Sequence, residues 1–487
     1  MARPNIEGLL SAVTAGLDKR VCANTVREVM AVALPLILST SVHSVRTFTD
    51  RAFLMHYDPN AMSAAMFAGL AHFTFIAFFV GLVSYVSTFV AQYYGAGRSN
   101  RIGPSIWQGI FIAIVSGLLV SGVFFLAEPL FKLVAHGAET TAYEITYFKI
   151  LCSSYVLILV NSTLSCFYVG RGMTRIVLCV NTISCVSNVL LDYILIFGHF
   201  GFPRLGITGA AIATVSSVVV SSILYILFFF NRKNDEQFHT LRGFGFDKEL
   251  ILRVLRFGSP NGVNFLLDMM AFTSFLAFVG RFGDSVQTAI SLVFSINMMA
   301  FMPVVGLGMA VNTLTGKYLG AGRPDKAVHT AFVSYALALS YFFLTSLVYV
   351  FAGNELIRFF GGGITSADYD EIARISYPFL CWIAVYALGD AGLIVFSNVL
   401  KGAGDTRFVL LSSVSFSWLL MVLPAYLAAR FGGSYHIPWI GFSTYIYLLN
   451  FIFLARFLKG KWKKMRVIED EAVEELVERV KLPLQNV

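Results

Sequence analysis

Charged residues are scarce in this sequence. Asp, Glu, Lys and Arg make up 13% of its 487 residues, whereas soluble domains contain about 25%. In their place, 57% of the residues are hydrophobic, and phenylalanine alone occurs 46 times. The core of a water-soluble domain cannot hide that much apolar surface. The composition therefore excludes a soluble globular protein and indicates a chain that crosses a membrane many times.

Motifs for several common chemistries are also missing. The sequence contains no G-x-x-x-x-G-K-[ST], no H-E-x-x-H and no G-x-S-x-G, which excludes the usual phosphate loop and two frequent hydrolytic sites. The six cysteines include no C-x-x-C pair, and the eight histidines show no metal-ligand spacing, so buried, unpaired thiols are expected. We therefore expect no enzymatic activity and no cofactor, and any pumping must be driven by an ion gradient.

Long apolar segments fill most of the chain. A membrane-spanning helix needs about 20 mostly apolar residues, whereas a barrel strand would alternate apolar and polar residues over about ten. Twelve segments fit the helix, near residues 29–55, 61–91, 103–128, 141–168, 176–198, 206–231, 251–280, 285–316, 328–352, 373–399, 408–430 and 435–457. The sequence thus predicts an all-α integral membrane protein with twelve transmembrane helices.

The net charge of +8 is better explained by membrane topology than by nucleic-acid binding, because positive residues concentrate on cytoplasmic loops. Basic residues follow every second predicted span, at Arg98, Arg101, Arg171, Arg175, Arg232, Lys233, Lys317, Arg323, Lys326, Lys401, Arg407 and within 459–466. With twelve spans these positions share one side. The pattern predicts a multi-pass plasma (inner) membrane protein with both termini in the cytoplasm, and with Tyr57 and Gly363 outside.

The sequence repeats itself. YYGAGRSNR at 93–101 and KYLGAGRPDK at 317–326 each close an apolar segment, and the first glycines, Gly95 and Gly320, are 225 residues apart. The same offset superposes Pro35 on Pro260 and Tyr93 on Tyr318. The chain is therefore two halves of six spans each. Since six is even, both halves have the same orientation, and a pseudo-two-fold axis along the membrane normal relates them.

This repeat divides the chain into five regions. We expect a cytoplasmic N-terminal segment at 1–28, an N-lobe of helices 1–6 at 29–231 and a cytoplasmic linker at 232–250. A C-lobe of helices 7–12 follows at 251–457, and a cytoplasmic tail occupies 458–487. Each Gly-Ala-Gly-Arg is then predicted to form a cytoplasmic hinge between the second and third spans of its lobe; the alternative is a simple loop with an arginine on the cytoplasmic side. Its glycines allow a sharp turn, and its arginine is expected to contact lipid headgroups.

These stretches resemble a known family. AQYYGAGRSN, LGAGRPDKA, GITGAAIATVSS and LKGAGDTR, in this order and spacing, are similar to the signature stretches of the multidrug and toxic compound extrusion (MATE) family. The likeness covers residues 30–457. It implies a monomeric secondary antiporter in the lipid bilayer that exports small, cationic amphiphilic molecules in exchange for Na⁺ or H⁺, with alternating access between the two lobes.

Acidic residues inside the apolar segments are the candidate functional residues. Each costs roughly 2.5–3.5 kcal/mol at mid-helix on insertion scales, so each needs a cavity, a partner or an ion. Four are taken as candidates: Asp50, Asp192, Asp268 and Asp390. None has an acidic counterpart under the repeat, which favours a functional over a structural role; a buried ion pair or an acid at the membrane edge is the alternative. Asp284 and Asp405 lie at segment edges and are expected to be solvated.

In the N-lobe, Asn188 and Asp192 are spaced i,i+4 and share one helical face. Carboxylate, amide and hydroxyl oxygens are the ligands that small hard cations prefer. The family resemblance implies a Na⁺ or proton site formed by Asp50, Asn188, Asp192 and Thr214. One departure is Tyr193, where members of that family often have proline.

In the C-lobe, the resemblance implies a substrate site or second cation site at Asp268, Tyr386 and Asp390. Tyr386 precedes Asp390 by one helical turn, and we expect both acids to face the central cavity. A lipid-linked precursor flippase of the same superfamily is the alternative function. Such a protein would need a cationic cavity for pyrophosphate, whereas here embedded acids outnumber embedded bases.

Arg46 is the main basic exception. It precedes Asp50 by four residues and lies on the same helical face. If the two side chains pair, Asp50 stays ionised and Asp192 is the better proton or Na⁺ carrier. If Arg46 points elsewhere, Asp50 keeps the role that the resemblance implies. The sequence leaves both arrangements open, as it leaves open the choice between Na⁺ and H⁺.

Overall fold

The structure is a computed structural model that describes residues 19–134, 137–361 and 366–469. All regular secondary structure in these ranges is helical. Eleven helices are long and apolar enough to cross a membrane, and a twelfth span forms from two helices that meet at 48°. The prediction of twelve transmembrane helices is confirmed, with the fourth span broken.

The N-lobe contains the spans α1 to α6. Tyr85 interrupts α2, and Gly122–Leu126 forms a short 3-10 segment inside α3. The bounds are α1 Lys19–Tyr57, α2 Pro59–Ser84 with Val86–Gly95, α3 Ser99–Leu133, α4 Ala138–Cys152 with Tyr155–Val169, α5 Thr174–Phe197 and α6 Ile207–Phe229. A short helix, Arg232–Phe238, begins the linker.

The C-lobe contains α7 to α12. The bounds are α7 Lys248–Gly280, α8 Asp284–Gly320, α9 Pro324–Phe351, α10 Ser366–Ala403, α11 Thr406–Phe431 and α12 Ile437–Leu458. A short helix, Gly353–Phe360, follows α9, and Ser417–Val422 forms a π-helical turn inside α11. Gly363, predicted outside the cell, lies beyond the described residues.

Local sequence explains several helix ends. Asp58 caps α2 by accepting the backbone N–H of Asn60, at 2.9 Å, and Pro59 takes the first helical position. Asp247 caps α7 by accepting the N–H of Leu250, at 3.0 Å. Both arrangements satisfy backbone donors that a helix start leaves unpaired. At the other end, Gly198 after α5 has a φ of +77°, a left-handed conformation that glycine adopts without steric cost.

The two lobes pack closely against each other at two repeat-related glycines, Gly81 and Gly306. A Cβ atom on Gly81 of α2 would lie 2.8 Å from Cα of Gly262 in α7, and one on Gly306 of α8 would lie 2.7 Å from the nitrogen of Ile37 in α1. The offset of 225 residues relates both members of the first contact to those of the second. Glycine is needed at these positions because the helix backbones touch, and the pseudo-two-fold axis passes between the two contacts.

The face of the protein that carries both Gly-Ala-Gly-Arg loops, called here the GAGR face, is closed. Any side chain on Gly95 would overlap the carbonyl of Lys317, and any side chain on Gly320 would overlap the carbonyl of Gln92. The turns themselves use the second glycines, Gly97 and Gly322, with φ of +76° and +69°. The repeated motif therefore combines a tight turn with a close contact between the lobes.

We expect Gly95→Ala to destabilise this closed arrangement by about 1–3 kcal/mol, as overpacking of a tight interface does. The reason is that the new methyl group meets a backbone carbonyl that cannot move aside as a flexible side chain would. Thermal unfolding of the purified protein measures the effect. Gly69→Ala in the same helix is the control, since a Cβ there meets nothing within 4 Å. Equal midpoints for the two variants would contradict the packing role of Gly95.

Asp405 corrects one expectation from the sequence. Its side chain is buried, with 7% of the residue exposed, and it accepts a hydrogen bond from Nε of Arg456 in α12 at 2.7 Å. The predicted solvated position is therefore wrong, because a partner 51 residues away in the chain covers the carboxylate. Asp284, at the start of α8, is exposed.

Candidate functional site

The N-lobe brings its predicted residues together in the interior of the helix bundle. Helix α5 presents Asn188 and Asp192 one turn apart, and both residues are fully buried. The carboxyl of Asp192 lies close enough to that of Asp50 in α1 to share a hydrogen bond when one of the two is protonated. Thr214 of α6 lies near the hydroxyl of Tyr147 in α4, and among the described residues no hydrogen bond joins it to the carboxyl of Asp192.

Polar contacts between helices hold this arrangement. Asn181 of α5 donates to the hydroxyl of Ser39 in α1 at 2.6 Å, and Ser184 of α5 donates to the carbonyl of Ser217 in α6 at 2.8 Å. These hydrogen bonds lie one to two turns before Asn188. They fix α1, α5 and α6 relative to one another, so that side chains from three helices converge on one point.

The polar atoms of this N-lobe site are buried without partners. Among the described residues, both oxygens of Asp192, both polar side-chain atoms of Asn188 and Oδ1 of Asp50 have no hydrogen-bond partner. Burying such groups unpaired is costly. Two carboxylates, an amide and a hydroxyl can bind a small hard cation, or one carboxylate can take up a proton. The described residues contain no cluster of three or more His, Cys, Asp or Glu side chains suited to a transition metal.

Arg46 does not pair with either acid directly. It lies within electrostatic reach of Asp192, yet in the described part of the chain it forms no ion pair with Asp50 or Asp192. Of the two arrangements that the sequence left open, the structure shows the one without a direct ion pair. Asp50 and Asp192 therefore lie next to each other with carboxyl oxygens that no described residue hydrogen-bonds, and the guanidinium of Arg46 is nearby.

Tyr147 is a site residue that the sequence analysis missed. Its hydroxyl interacts electrostatically with the side chains of Asp50, Asp192 and Arg46. The residue is buried, with 8% of its surface exposed. A tyrosine in an apolar segment gives no local signal, because its ring suits a buried helix face in any case. Its position on the broken fourth span, before the bend at Ser153 and Ser154, is evident from the fold alone.

The C-lobe residues converge as well. Asp268 of α7 accepts a hydrogen bond from Nδ2 of Asn264 at 2.7 Å, and its second oxygen is buried without a partner among the described residues. Asp390 and Tyr386 of α10 are buried, with 7% and 2% exposed. Tyr445 of α12 lies within electrostatic reach of both acids. The two acids thus belong to one polar region inside the C-lobe.

Lys401 supplies the positive charge of this region. It follows Asp390 by eleven residues on α10 and lies within electrostatic reach of Asp268. In the sequence, Lys401 is recognisable only as a basic residue of a predicted cytoplasmic loop, and nothing near Tyr445 marks it as a site residue. Each lobe therefore combines two acids, one tyrosine from a further helix and one basic residue, although the acids themselves are not repeat-related.

A bundle of twelve spans in two related lobes, with carboxylates buried inside each lobe, defines a membrane transporter. The MatE family model matches residues 35–194 and 260–427, which correspond to the two lobes. The chain belongs to the MatE family, that is, multidrug and toxic compound extrusion.

Relatives agree with this assignment over nearly the whole chain. The chain is 25% identical over 465 residues to the probable multidrug resistance protein NorM of Thermotoga maritima, covering 92% of this chain and 96% of that protein. It is also 25% identical over 395 residues to the multidrug resistance protein PmpM of Pseudomonas aeruginosa, covering 80% and 81%.

Solved structures show the same fold. A MATE protein in complex with MaL6 superposes with a TM-score of 0.82 at 19% identity, covering 90% of this chain and 97% of that one. An outward-facing multidrug resistance MATE transporter of the MOP superfamily superposes with a TM-score of 0.81 at 18% identity, covering 90% and 96%.

Proposed function

We propose that this protein is a secondary antiporter that exports organic cations in exchange for Na⁺ or H⁺, by alternating access between its lobes. The observation that carries the proposal is that buried polar atoms of Asp50, Asn188 and Asp192 have no hydrogen-bond partner among the described residues. Such a set is costly unless an ion or a proton compensates it during the transport cycle. The multidrug resistance proteins among its relatives support the substrate class.

The closed GAGR face supports the alternating-access part. Inter-lobe hydrogen bonds run along this half of the molecule, from Tyr85 Oη to the carbonyl of Lys401 at 2.7 Å and from Thr88 Oγ1 to Oδ1 of Asn312 at 3.0 Å. A transporter with one sealed face exposes its cavity to the other face, and rocking of the lobes exchanges the two states. We assign the GAGR face to the cytoplasm, in the inner membrane, with the protein acting as a monomer.

Transport by everted membrane vesicles tests the proposal. A fluorescent organic cation is supplied, and the Na⁺ and pH gradients are imposed separately. We expect one of the two gradients to drive uptake into the vesicles and its collapse to stop uptake. The protein is not an ion-driven antiporter if uptake is the same with and without both gradients.

Cysteine labelling tests the assigned orientation. In intact cells of a variant free of native cysteines, an impermeant maleimide should label Tyr57→Cys at the end of α1 and should not label Arg98→Cys or Arg323→Cys in the GAGR loops. The physical reason is that positive residues concentrate on cytoplasmic loops. Labelling of Arg98→Cys or Arg323→Cys from outside would show that the GAGR face is extracellular and that the assigned orientation is wrong.

A further inference from the structure

Two repeat-related tyrosines cross the lobe interface at the GAGR face. Tyr93 of α2 donates a hydrogen bond from its hydroxyl to Oε2 of Glu469 at 2.6 Å. Tyr318 of α8 donates in the same way to Oε2 of Glu28 in α1. Each tyrosine precedes the first glycine of its Gly-Ala-Gly-Arg loop by two residues. Each contact therefore joins the end of one lobe's second helix to a segment that belongs with the other lobe.

The two acceptors come from unrelated parts of the chain. The offset of 225 residues places Arg253 of α7 where the first half has Glu28, so α7 cannot give Tyr93 the acceptor that α1 gives Tyr318. The acceptor is instead Glu469, beyond α12, and Arg253 holds it with an ion pair of 3.6 Å. The tail thus restores a symmetric contact that the repeat itself has lost.

Glu469 has further partners in the N-lobe. Nη2 of Arg101 lies 3.6 Å from its Oε1, and Nη1 of Arg98 donates to its backbone carbonyl at 3.1 Å. Arg98 thus binds protein here, whereas the sequence predicted a contact with lipid headgroups. The Glu469 carboxylate thus accepts one hydrogen bond from a tyrosine hydroxyl and forms ion pairs with two guanidinium groups. A hydrogen bond to an ionised acceptor is stronger than a neutral one.

The strap, residues 459–469, is anchored to both lobes. Trp462 is fully buried and stacks on Phe457 of α12 with ring centroids 5.1 Å apart. The N–H of Val467 donates to Oε1 of Gln92 in α2 at 2.8 Å, and Nη1 of Arg466 donates to the carbonyl of Leu319 in α8. The strap therefore runs from the C-lobe across the interface to the N-lobe.

We propose that Tyr93 and Tyr318 are paired latches that hold the GAGR face closed, and that the strap supplies Glu469 to the first of them. This inference rests on the proposed alternating access, since the GAGR face must open once in every transport cycle. Opening separates the lobes and breaks both tyrosine–glutamate contacts. The strength of the latches thus sets how often this face opens and limits the rate of transport.

A labelling rate at the lobe interface measures opening without any substrate. Ala91 of α2 is fully buried, and its Cβ lies 3.0 Å from the position of a Cβ on Gly316 in α8. Ala91→Cys, in a protein without the six native cysteines, is reacted with a maleimide in lipid nanodiscs. We expect Tyr93→Phe, Glu469→Ala and Tyr318→Phe each to raise the rate roughly three- to tenfold, as loss of a charge-assisted contact would.

Tyr94→Phe is the matched control. This neighbouring tyrosine is 36% exposed, and its hydroxyl makes no hydrogen bond within the described residues, so its loss should leave the labelling rate unchanged. The latch proposal is overturned if Tyr93→Phe and Tyr94→Phe label at the same rate. Because the assay needs neither substrate nor ion gradient, this outcome is distinct from a failure of the proposed antiport.

A cross-link that tightens the strap contact complements the substitutions that weaken it. It also provides a test if Glu469→Ala fails to fold. Gln92→Cys and Val467→Cys replace neighbouring residues, since the backbone nitrogen of Val467 lies 2.8 Å from Oε1 of Gln92. A thiol-specific bifunctional cross-linker then ties the strap to α2 through a cleavable disulfide linker. This variant keeps Ala91, so that residues 92 and 467 carry its only thiols. We expect the cross-link to stop transport and a reductant to restore it. Undiminished transport in the cross-linked protein would show that the strap does not move during opening.

Discussion

Asp192→Asn is expected to abolish export driven by an ion gradient, with the initial rate falling by roughly a hundredfold, near the upper end of coupling between sites. The substitution keeps the shape of the side chain and removes its charge. Asp192 is fully buried beside Asp50, and its oxygens have no hydrogen-bond partner among the described residues. An amide there can neither take up a proton nor neutralise a cation.

Initial rates of fluorescent-cation transport in everted vesicles, at equal protein levels, measure this loss. Asp284→Asn is the matched control, because that carboxylate is exposed at the start of α8 and should retain the parent rate. Full transport by Asp192→Asn with an unchanged dependence on the gradient would remove the N-lobe from the coupling mechanism.

Asp390→Asn is expected to weaken transport of cations by roughly tenfold while leaving neutral compounds almost unaffected. Its carboxylate is buried in the C-lobe polar region with Tyr386 one turn away, and negative charge in a low-dielectric cavity attracts cations strongly. The Michaelis constants for a cation and a neutral analogue of the same shape measure the difference.

Glu355→Gln serves as the control for Asp390→Asn, since Glu355 is an exposed acid on the short helix after α9. It should leave both Michaelis constants unchanged. Equal losses for the cation and its neutral analogue in Asp390→Asn would assign Asp390 to ion coupling or to structure instead of to substrate charge.

The helical architecture is predictable from the sequence because the membrane imposes it. A backbone in lipid must satisfy its own hydrogen bonds, so each apolar segment of sufficient length becomes a helix. The sequence repeat that superposes Pro35 on Pro260 is also visible in the structure, where Pro35 lies inside α1 and Pro260 lies inside α7. What the composition could not indicate is the break in the fourth span, at two serines that are not helix breakers by type.

The candidate site was predictable for its acids and not for their neighbours. Carboxylates inside membrane-spanning segments are rare and costly, so Asp192 and Asp390 could be identified from the amino-acid sequence alone. Tyr147 and Tyr445 were not, because the sequence holds 21 tyrosines and nothing local marks these two. The same limit applies to Glu469, whose partner Tyr93 is 376 residues distant. Contacts between residues so far apart in the chain are set by how the lobes pack, which local sequence does not reveal.

Exchange of a cation for an ion can be measured in the reverse direction. Proteoliposomes are loaded with the organic cation in the absence of any Na⁺ or pH gradient, and the inward movement of Na⁺ or H⁺ is recorded as the cation leaves. Because coupling is reciprocal, we expect ion movement that depends on the cation gradient and disappears in Asp192→Asn. Release of the cation without movement of either ion would show that the protein is not an antiporter.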